Sequence, residues 1–510
     1  MKTTNGSIYL QAFLFLCSTA CLAQPLAVTH PLTFQQALEI SLGNNHALKQ
    51  VDALKKEKHQ ESLSAKGLYL PKIGLSASYM AMSDNLHLDL TDVRDAITPL
   101  YQVMANYGRF SGVPNPDPAT SQQMPILPDD ISTQVIRAKM QEGLSAVQSG
   151  DWDPVLQKKQ FSTVDANLQW PLYTGGKIRV ANKVAEIRES EVDAVREQKS
   201  GELISELAER YFGLCLANQA LKVRQDVLKG MDQHLDDAVK MEKQGMIANV
   251  DVLHARVYQS QANREFLRAQ RNCDVVNQAL LNTLAMDENL EVETLSQLFY
   301  LDTIEPLQYF AESARKNNPL LQQVISRKEQ AGLGVKAEKA GFLPDIALQG
   351  TYNVANHDLS AYAPDWIVGV GMKWTLFDGA SRLRKLNASG FRVNQVEQLQ
   401  MKSESDVSTL VYKLYQELNM YHEQLLQLET ARDFADEYLR AREETFHSEM
   451  SNSTELMDAK LALAQVKIER LQAMYSYDLT LAKLLEAAGI SGQFEVYQLR
   501  AGVKTEKYQN

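Results

Sequence analysis

Proline is missing from two long stretches of this sequence: none lies between Pro171 and Pro306, and none follows Pro364. Proline has no amide hydrogen and its ring clashes with the preceding helical turn, so long helices exclude it while folds of short strands and turns use it freely. The map predicts two very long helical segments. Seven of the 15 prolines fall between Pro99 and Pro154, which marks one irregular region. At 510 residues the chain also exceeds a single ordinary domain.

An internal duplication organises the rest. Asn317-Asn318-Pro319 stands 273 positions after Asn44-Asn45-His46. The same spacing aligns Lys66-Gly-Leu-Tyr-Leu-Pro71 with Lys339-Ala-Gly-Phe-Leu-Pro344. Further on the spacing becomes 204, where Trp170-Pro-Leu-Tyr-Thr-Gly175 meets Trp374-Thr-Leu-Phe-Asp-Gly379, and Val250-Asp-Val-Leu-His-Ala255 meets Thr454-Glu-Leu-Met-Asp-Ala459. The first half therefore carries an insertion, which holds the proline cluster.

Each repeat reads the same way. An amphipathic helix (about 33–66, and 306–339) stops near a Leu-Pro pair. Alternating strands follow, with Ile73, Leu75, Ala77, Tyr79 and then Val164, Ala166, Leu168, Trp170 in the first repeat. The second repeat has Ile346, Leu348, Tyr352 and then Val368, Val370, Met372, Trp374. Within each proline-free tract small and apolar residues recur every seven positions, at Ala255, Ala262, Ala269, Val276 and at Ala459, Val466, Ala473, a coiled-coil spacing. Breaks at Gln244-Gly245-Met246 and Ser448-Glu449-Met450-Ser451 fold each tract into a helical hairpin. The 67 residues from Lys177 to Lys243 would span roughly 100 Å.

The amino terminus reads as a secretory signal over residues 1–23: Lys2, an apolar core over Ala12-Phe-Leu-Phe-Leu-Cys17, then Cys21-Leu-Ala23 before Gln24. A lipoprotein signal ending at Cys21 is the rival reading, and both export the chain. The net charge of −11 argues against nucleic-acid binding. Past the signal no run of 18 apolar residues supplies a membrane helix, which leaves a periplasmic or secreted protein or a β-barrel. Four strands cannot close a barrel, since about eight are needed, so several chains would share one; three would give twelve strands.

Taken as an ordered set, the signal, the tandem units, the Leu-Pro before each first strand, Trp-x-Leu-Tyr/Phe-x-Gly after each second and Asp-Val-Leu-x-Ala beyond the hairpin tip resemble the TolC-like outer-membrane efflux proteins over residues 30–490. The resemblance implies an α+β membrane protein: two tandem repeats, a homotrimer, a 12-stranded outer-membrane β-barrel and a periplasmic α-helical coiled-coil barrel. The repeats would span 24–304, with an inserted outer loop or plug at about 82–160, and 305–490, followed by a tail at 491–510. The implied function is a passive outer-membrane exit channel for small molecules. It would work with a periplasmic adaptor (membrane fusion) protein and an inner-membrane transporter of RND or ABC type, and would touch outer-membrane lipid. A duct for type I protein secretion and a periplasmic coiled-coil scaffold without a pore are the alternatives.

By position, the resemblance assigns Asp458, Glu455 and Asp251 to an acidic constriction, or gate, at the periplasmic end. Acids at helix starts also cap them, and Asn452-Ser-Thr-Glu455 reads equally as a capping box. The tips, with Gly245, Met246 and Ile247 in one repeat and Met450 and Ser451 in the other, would meet the adaptor, or simply turn the chain. Cys215 and Cys273 flank the first tip symmetrically, so either a disulfide or two free thiols fits. No HExxH, CxxC, phosphate-binding glycine loop or Gly-x-Ser-x-Gly is present, and the nine histidines, His254 near the tip among them, are scattered. The sequence thus predicts no enzyme, no cofactor and no metal site.

Overall fold

The computed structural model describes residues 29–106, 131–287, 289–448, 453–500 and 502–505. The signal segment and the tip residues Met450 and Ser451 lie outside them. In chain order the first half contains β1 (Thr29–Leu32), α1 (Phe34–Asn44), α2 (His46–Gly67), β2 (Lys72–Ala81), β3 (Leu86–His87), α3 (Thr91–Ala105), α4 (Ile131–Ser149), β4 (Val155–Gln157), β5 (Gln160–Tyr173), α5 (Lys177–Lys243) and α6 (Asn249–Leu284). Then come β6 (Glu291–Thr294), β7 (Phe299–Leu301), α7 (Leu307–Asn317), α8 (Pro319–Ala340), β8 (Asp345–His357), β9 (Trp366–Lys373), α9 (Ser381–His447) and α10 (Ser453–Ala487). A 3-10 turn, α11 (Phe494–Gln498) and β10 (Val503–Thr505) follow. The chain divides into two compact units, one of residues 1–62, 183–334 and 387–510, the other of 63–182 and 335–386.

The first unit is built on the long helices. Its core gathers Phe34 of α1, Tyr211 and Phe212 of α5, Phe299 of β7 and Phe494 of α11, with Phe34 lying 5.1–5.6 Å from three of the other rings. Stacked, edge-on and tilted contacts of this kind add to the burial of large apolar rings. Tyr211, itself fully buried, places its hydroxyl between Leu32 O, to which it donates at 2.6 Å, and the Ser296 amide, from which it accepts at 2.9 Å. Two short sheets, β1 with β6 and β7 with β10, sit beside this cluster. The segment expected as a tail contributes to the core: Phe494 and Tyr497 are buried, Val503 packs against the cluster, and the Tyr497 hydroxyl donates to Glu305 at 2.7 Å.

Each opening helix, expected as one piece, is two. Asn45 and Asn318 leave the helical region, with ψ of 127° and 120°. Each carboxamide oxygen then caps the next helix, Asn45 accepting from Ala47 N at 2.8 Å and Asn318 from Leu320 N at 3.0 Å. Asparagine competes with the helix for its own backbone in this way. Asn318 is also buried, and its amide donates to Ala487 O at 2.9 Å, which ties the break to the end of α10.

The second unit holds a four-stranded antiparallel sheet in the order β2-β5-β8-β9. The same anchor recurs at the two spacings seen in the sequence: Trp170 Nε1 donates to Tyr69 O at 3.0 Å and Trp374 Nε1 to Phe342 O at 3.1 Å. The turns that follow use Gly175 and Gly379 at φ of 62° and 67°, a region open to glycine at no steric cost. The inserted region is not merely a loop: β3 pairs with β4, and α3 packs on α4 where Gly143 lets the Tyr101 ring approach closely. No helix among the described residues is long and apolar enough to cross a membrane.

Candidate functional site

In the sheet the two faces have opposite chemistry. Ile73, Leu75, Ala77 and Tyr79 of β2 stand opposite Leu168, Ala166, Val164 and Ser162 of β5. Trp170, Leu168 and Ala166 continue to Leu348, Gly350 and Tyr352, and those to Val370, Val368 and Trp366. Opposed residues share a face, so these positions form one nearly unbroken apolar surface. Nothing among the described residues covers it: Ile73 is 77 % exposed and Val370 65 %. Aromatic side chains bound it at both ends, Trp170 and Trp374 at one, Tyr79, Tyr352 and Trp366 at the other.

The reverse face is a hydrogen-bonded polar ladder. Thr163 donates to Asp165 at 2.7 Å and lies 2.9 Å from the Ser78 hydroxyl. Asn353 donates to the other Asp165 oxygen at 2.9 Å, Asn167 to Ser76 at 2.7 Å and Thr351 to Asn167 at 3.3 Å. In water this pattern is inverted, because the apolar face has no core. In a bilayer it is the pattern of a strand with lipid on one side and an aqueous lumen on the other. Strands of 10, 14, 13 and 8 residues bracket the 9–11 that a tilted strand needs to cross.

At the first helical tip, α5 ends in a Schellman motif: Met246 N donates to Met241 O and Gly245 N to Glu242 O, both at 2.9 Å, with Gly245 at φ 75°. Ile247 turns back onto Ala238, Val252 and Ala255, whereas Met246 stays 56 % exposed. Asp251 accepts from the Ala248 amide at 3.1 Å, so it caps its own helix. His254 is exposed nearby.

The other two acids do different work. Glu455 accepts a charged hydrogen bond from Arg442 of α9 at 2.7 Å, and Arg442 lies 5.2 Å from the Tyr438 ring. Ala238 occupies the place 204 residues before Arg442, which is why the matched acid, Asp251, caps instead. Asp458 is exposed on α10 and accepts from the Tyr258 hydroxyl of α6 at 3.3 Å. Burial, then the Asp458 charge, raises the Tyr258 hydroxyl above its ordinary range. Tyr258 and Arg442 were missed from sequence because neither is repeated: alanine, Ala462 and Ala238, stands at each matched position.

Cys215 and Cys273 are free thiols, which leaves the unbonded one of the two sequence alternatives. Cys215 turns into the core, donating to Ser296 O at 3.6 Å and accepting from Gln219 at 3.5 Å, and burial pushes it up to about 11. Among the described residues no cluster of three or more His, Cys, Asp or Glu is arranged for a metal ion.

No curated protein sequence matches the chain. Among solved structures it resembles the CmeC outer membrane channel of Campylobacter jejuni, with TM-score 0.67 and 12 % identity over 90 % of this chain and 86 % of that one. It also resembles the open-state MtrE outer membrane channel of Neisseria gonorrhoeae (0.65, 15 %, 90 % and 89 %) and the outer membrane protein VceC of Vibrio cholerae (0.63, 14 %, 89 % and 96 %). At such identities these likenesses speak for the fold. The family model for outer membrane efflux proteins matches residues 157–285 and 310–490, more than half of the chain. Joined to the two-faced sheet and the long hairpins, that match decides the matter: the chain belongs to the TolC-like outer membrane efflux protein family, outer-membrane channels with a periplasmic extension and not enzymes.

Proposed function

We propose that three copies of this chain pair edge to edge, β2 of one with β9 of the next, into a twelve-stranded barrel whose lumen is the polar ladder. The helical hairpins of the two repeats, residues 24–304 and 305–490, continue it as a periplasmic tunnel. The assembly is a passive exit for small molecules, coupled through a periplasmic adaptor to an inner-membrane transporter of RND or ABC type. What supports this best is the apolar sheet face bounded by aromatics, combined with two edge strands, β2 and β9, that have no outer partner among the described residues and would otherwise be an aggregation hazard.

On this reading Asp458, Glu455 and Asp251, three copies each, ring the periplasmic constriction and attract cations. The Glu455–Arg442 and Asp458–Tyr258 contacts hold the tip helices in the narrow state. Gly245, Met246 and Ile247, with Met450 and Ser451, meet the adaptor. The test is biochemical. Outer-membrane fractions extracted in detergent should yield heat-modifiable trimers that conduct ions in planar bilayers. A soluble periplasmic monomer would refute the proposal.

A further inference from the structure

The inserted hairpin carries a surface that neither the barrel nor the helical tunnel uses. Val93, Ala96, Leu100 and Val103 of α3 follow a 3-4-3 spacing, the apolar seam of a coiled coil. All four are exposed, Val93 at 48 %, Leu100 at 59 % and Val103 at 72 %. The opposite side of α3 is already satisfied, since α3 packs on α4 with the Tyr101 ring against Gly143, and Ala105 is buried. The base is held firmly: Leu90 N donates to Trp152 O at 2.7 Å, Trp152 Nε1 to Val147 O at 2.6 Å, and Gln157 Nε2 to Asp358 O at 2.8 Å in the β8–β9 turn. Among the described residues nothing covers this heptad seam, and a firmly held helix that exposes one is built to meet another helix.

We infer that the seam is covered by the same seam of the neighbouring copies, so that three α3 helices close the outer mouth of the channel. The inference rests on the trimeric barrel proposed above. Its position supports it: the insertion leaves the sheet directly after β2, an edge strand, and so rises at the junction between one copy and the next. It leaves from the strand ends remote from α2, α5, α8 and α9, which in a membrane barrel is the external side. Its reach fits as well. Twelve strands about 4.8 Å apart and tilted about 40° give a barrel radius of about 12 Å. At 1.5 Å per residue, the 15 residues of α3 make a helix of about 22 Å, enough to lean from the wall to the axis. An apolar seam is also self-complementary, as a contact between identical copies requires.

The test uses the full-length protein in detergent and in bilayers. Val103→Cys, oxidised with copper phenanthroline, should give a covalent dimer plus one unlinked chain per trimer, because three thiols on an axis can form only one bond. Leu100→Asp with Val103→Asp should raise single-channel conductance at least twofold while leaving trimers intact. Both substitutions are at exposed positions, so folding is not at issue. Intact trimers with no Val103 cross-link and unchanged conductance overturn the inference. A nitroxide at Val103 showing high oxygen accessibility and no coupling between copies would assign the seam to lipid and overturn it too. Absence of trimers by light scattering instead sinks the channel proposal itself.

Discussion

Replacing Val370 with arginine tests whether the apolar sheet face meets lipid or water. Val370 lies midway between Trp366 and Trp374 on a strand that pairs it with Leu348. Eight residues at about 3.3 Å each, tilted about 40°, separate the two tryptophans by about 20 Å in height, so Val370 sits near the midplane of a band about 25 Å tall. In water an exposed Val→Arg change is worth within about 0.5 kcal/mol either way. At a bilayer midplane it costs about 2–4 kcal/mol per chain, hence about 6–12 kcal/mol for three chains. Thr351→Lys, placed on the opposite face of the adjacent strand, should be nearly neutral, since that face is hydrated and already polar. The assay is the temperature at which the trimer dissociates on gels, together with the amount of protein recovered from outer membranes. Val370→Arg should lower both sharply and Thr351→Lys should not. Equal effects at the two positions, or a neutral Val370→Arg, would refute a lipid-facing sheet.

Three further outcomes are expected. Asp458→Ala with Glu455→Ala should raise single-channel conductance and weaken block by cations; bilayer recordings showing neither would remove these acids from the constriction. Gly489 has φ 72°, and a Cβ there would lie 2.5 Å from the Asn317 carbonyl, so Gly489→Ala should cost about 2–4 kcal/mol, read as a lower melting temperature. Asp478 is fully buried, with one carboxylate oxygen 3.3 Å from the Phe299 amide and the other without a partner among the described residues, and burial raises its pKa well above the ordinary value. The folded chain then holds that proton more tightly than the unfolded one, so stability falls as pH climbs from the carboxylate range towards the raised value. Asp478→Asn cannot ionise and should melt higher than the parent at pH 8, with the gap closing at pH 4; parallel curves would contradict this.

Much of this fold was legible because its signals are periodic. Alternation placed all four long strands, and the heptads with their missing prolines placed the hairpins and the Gly245 turn. The features that escaped are those in which one side chain overrides a pattern. Asn45 and Asn318 break helices whose periodicity continues past them, because a single carboxamide caps the next segment. Phe494 looks like part of a polar tail until the distant Phe34, Phe212 and Phe299 surround it. The helix α3 was hidden by Pro99, which lies within it, and α4 by the five prolines from Pro114 to Pro128 that precede it. At the candidate gate the acids could be named from position, but whether each caps, pairs or stays exposed depends on partners from other helices. Duplication points to a partner only where it is repeated, and Arg442 and Tyr258 are not.

The helices α5 and α9 are both 67 residues long, and α6 and α10 are 36 and 35. Equal lengths make them a ruler. Removing one residue from α5 alone shortens it by about 1.5 Å and turns everything beyond by about 100°, which carries the buried seam off its neighbours. Removing seven restores the face to within about 20° but leaves that tip about 10 Å short. Only a heptad taken from all four helices together preserves both phase and height, so natural or engineered variants that span a different gap should differ in matched multiples of seven.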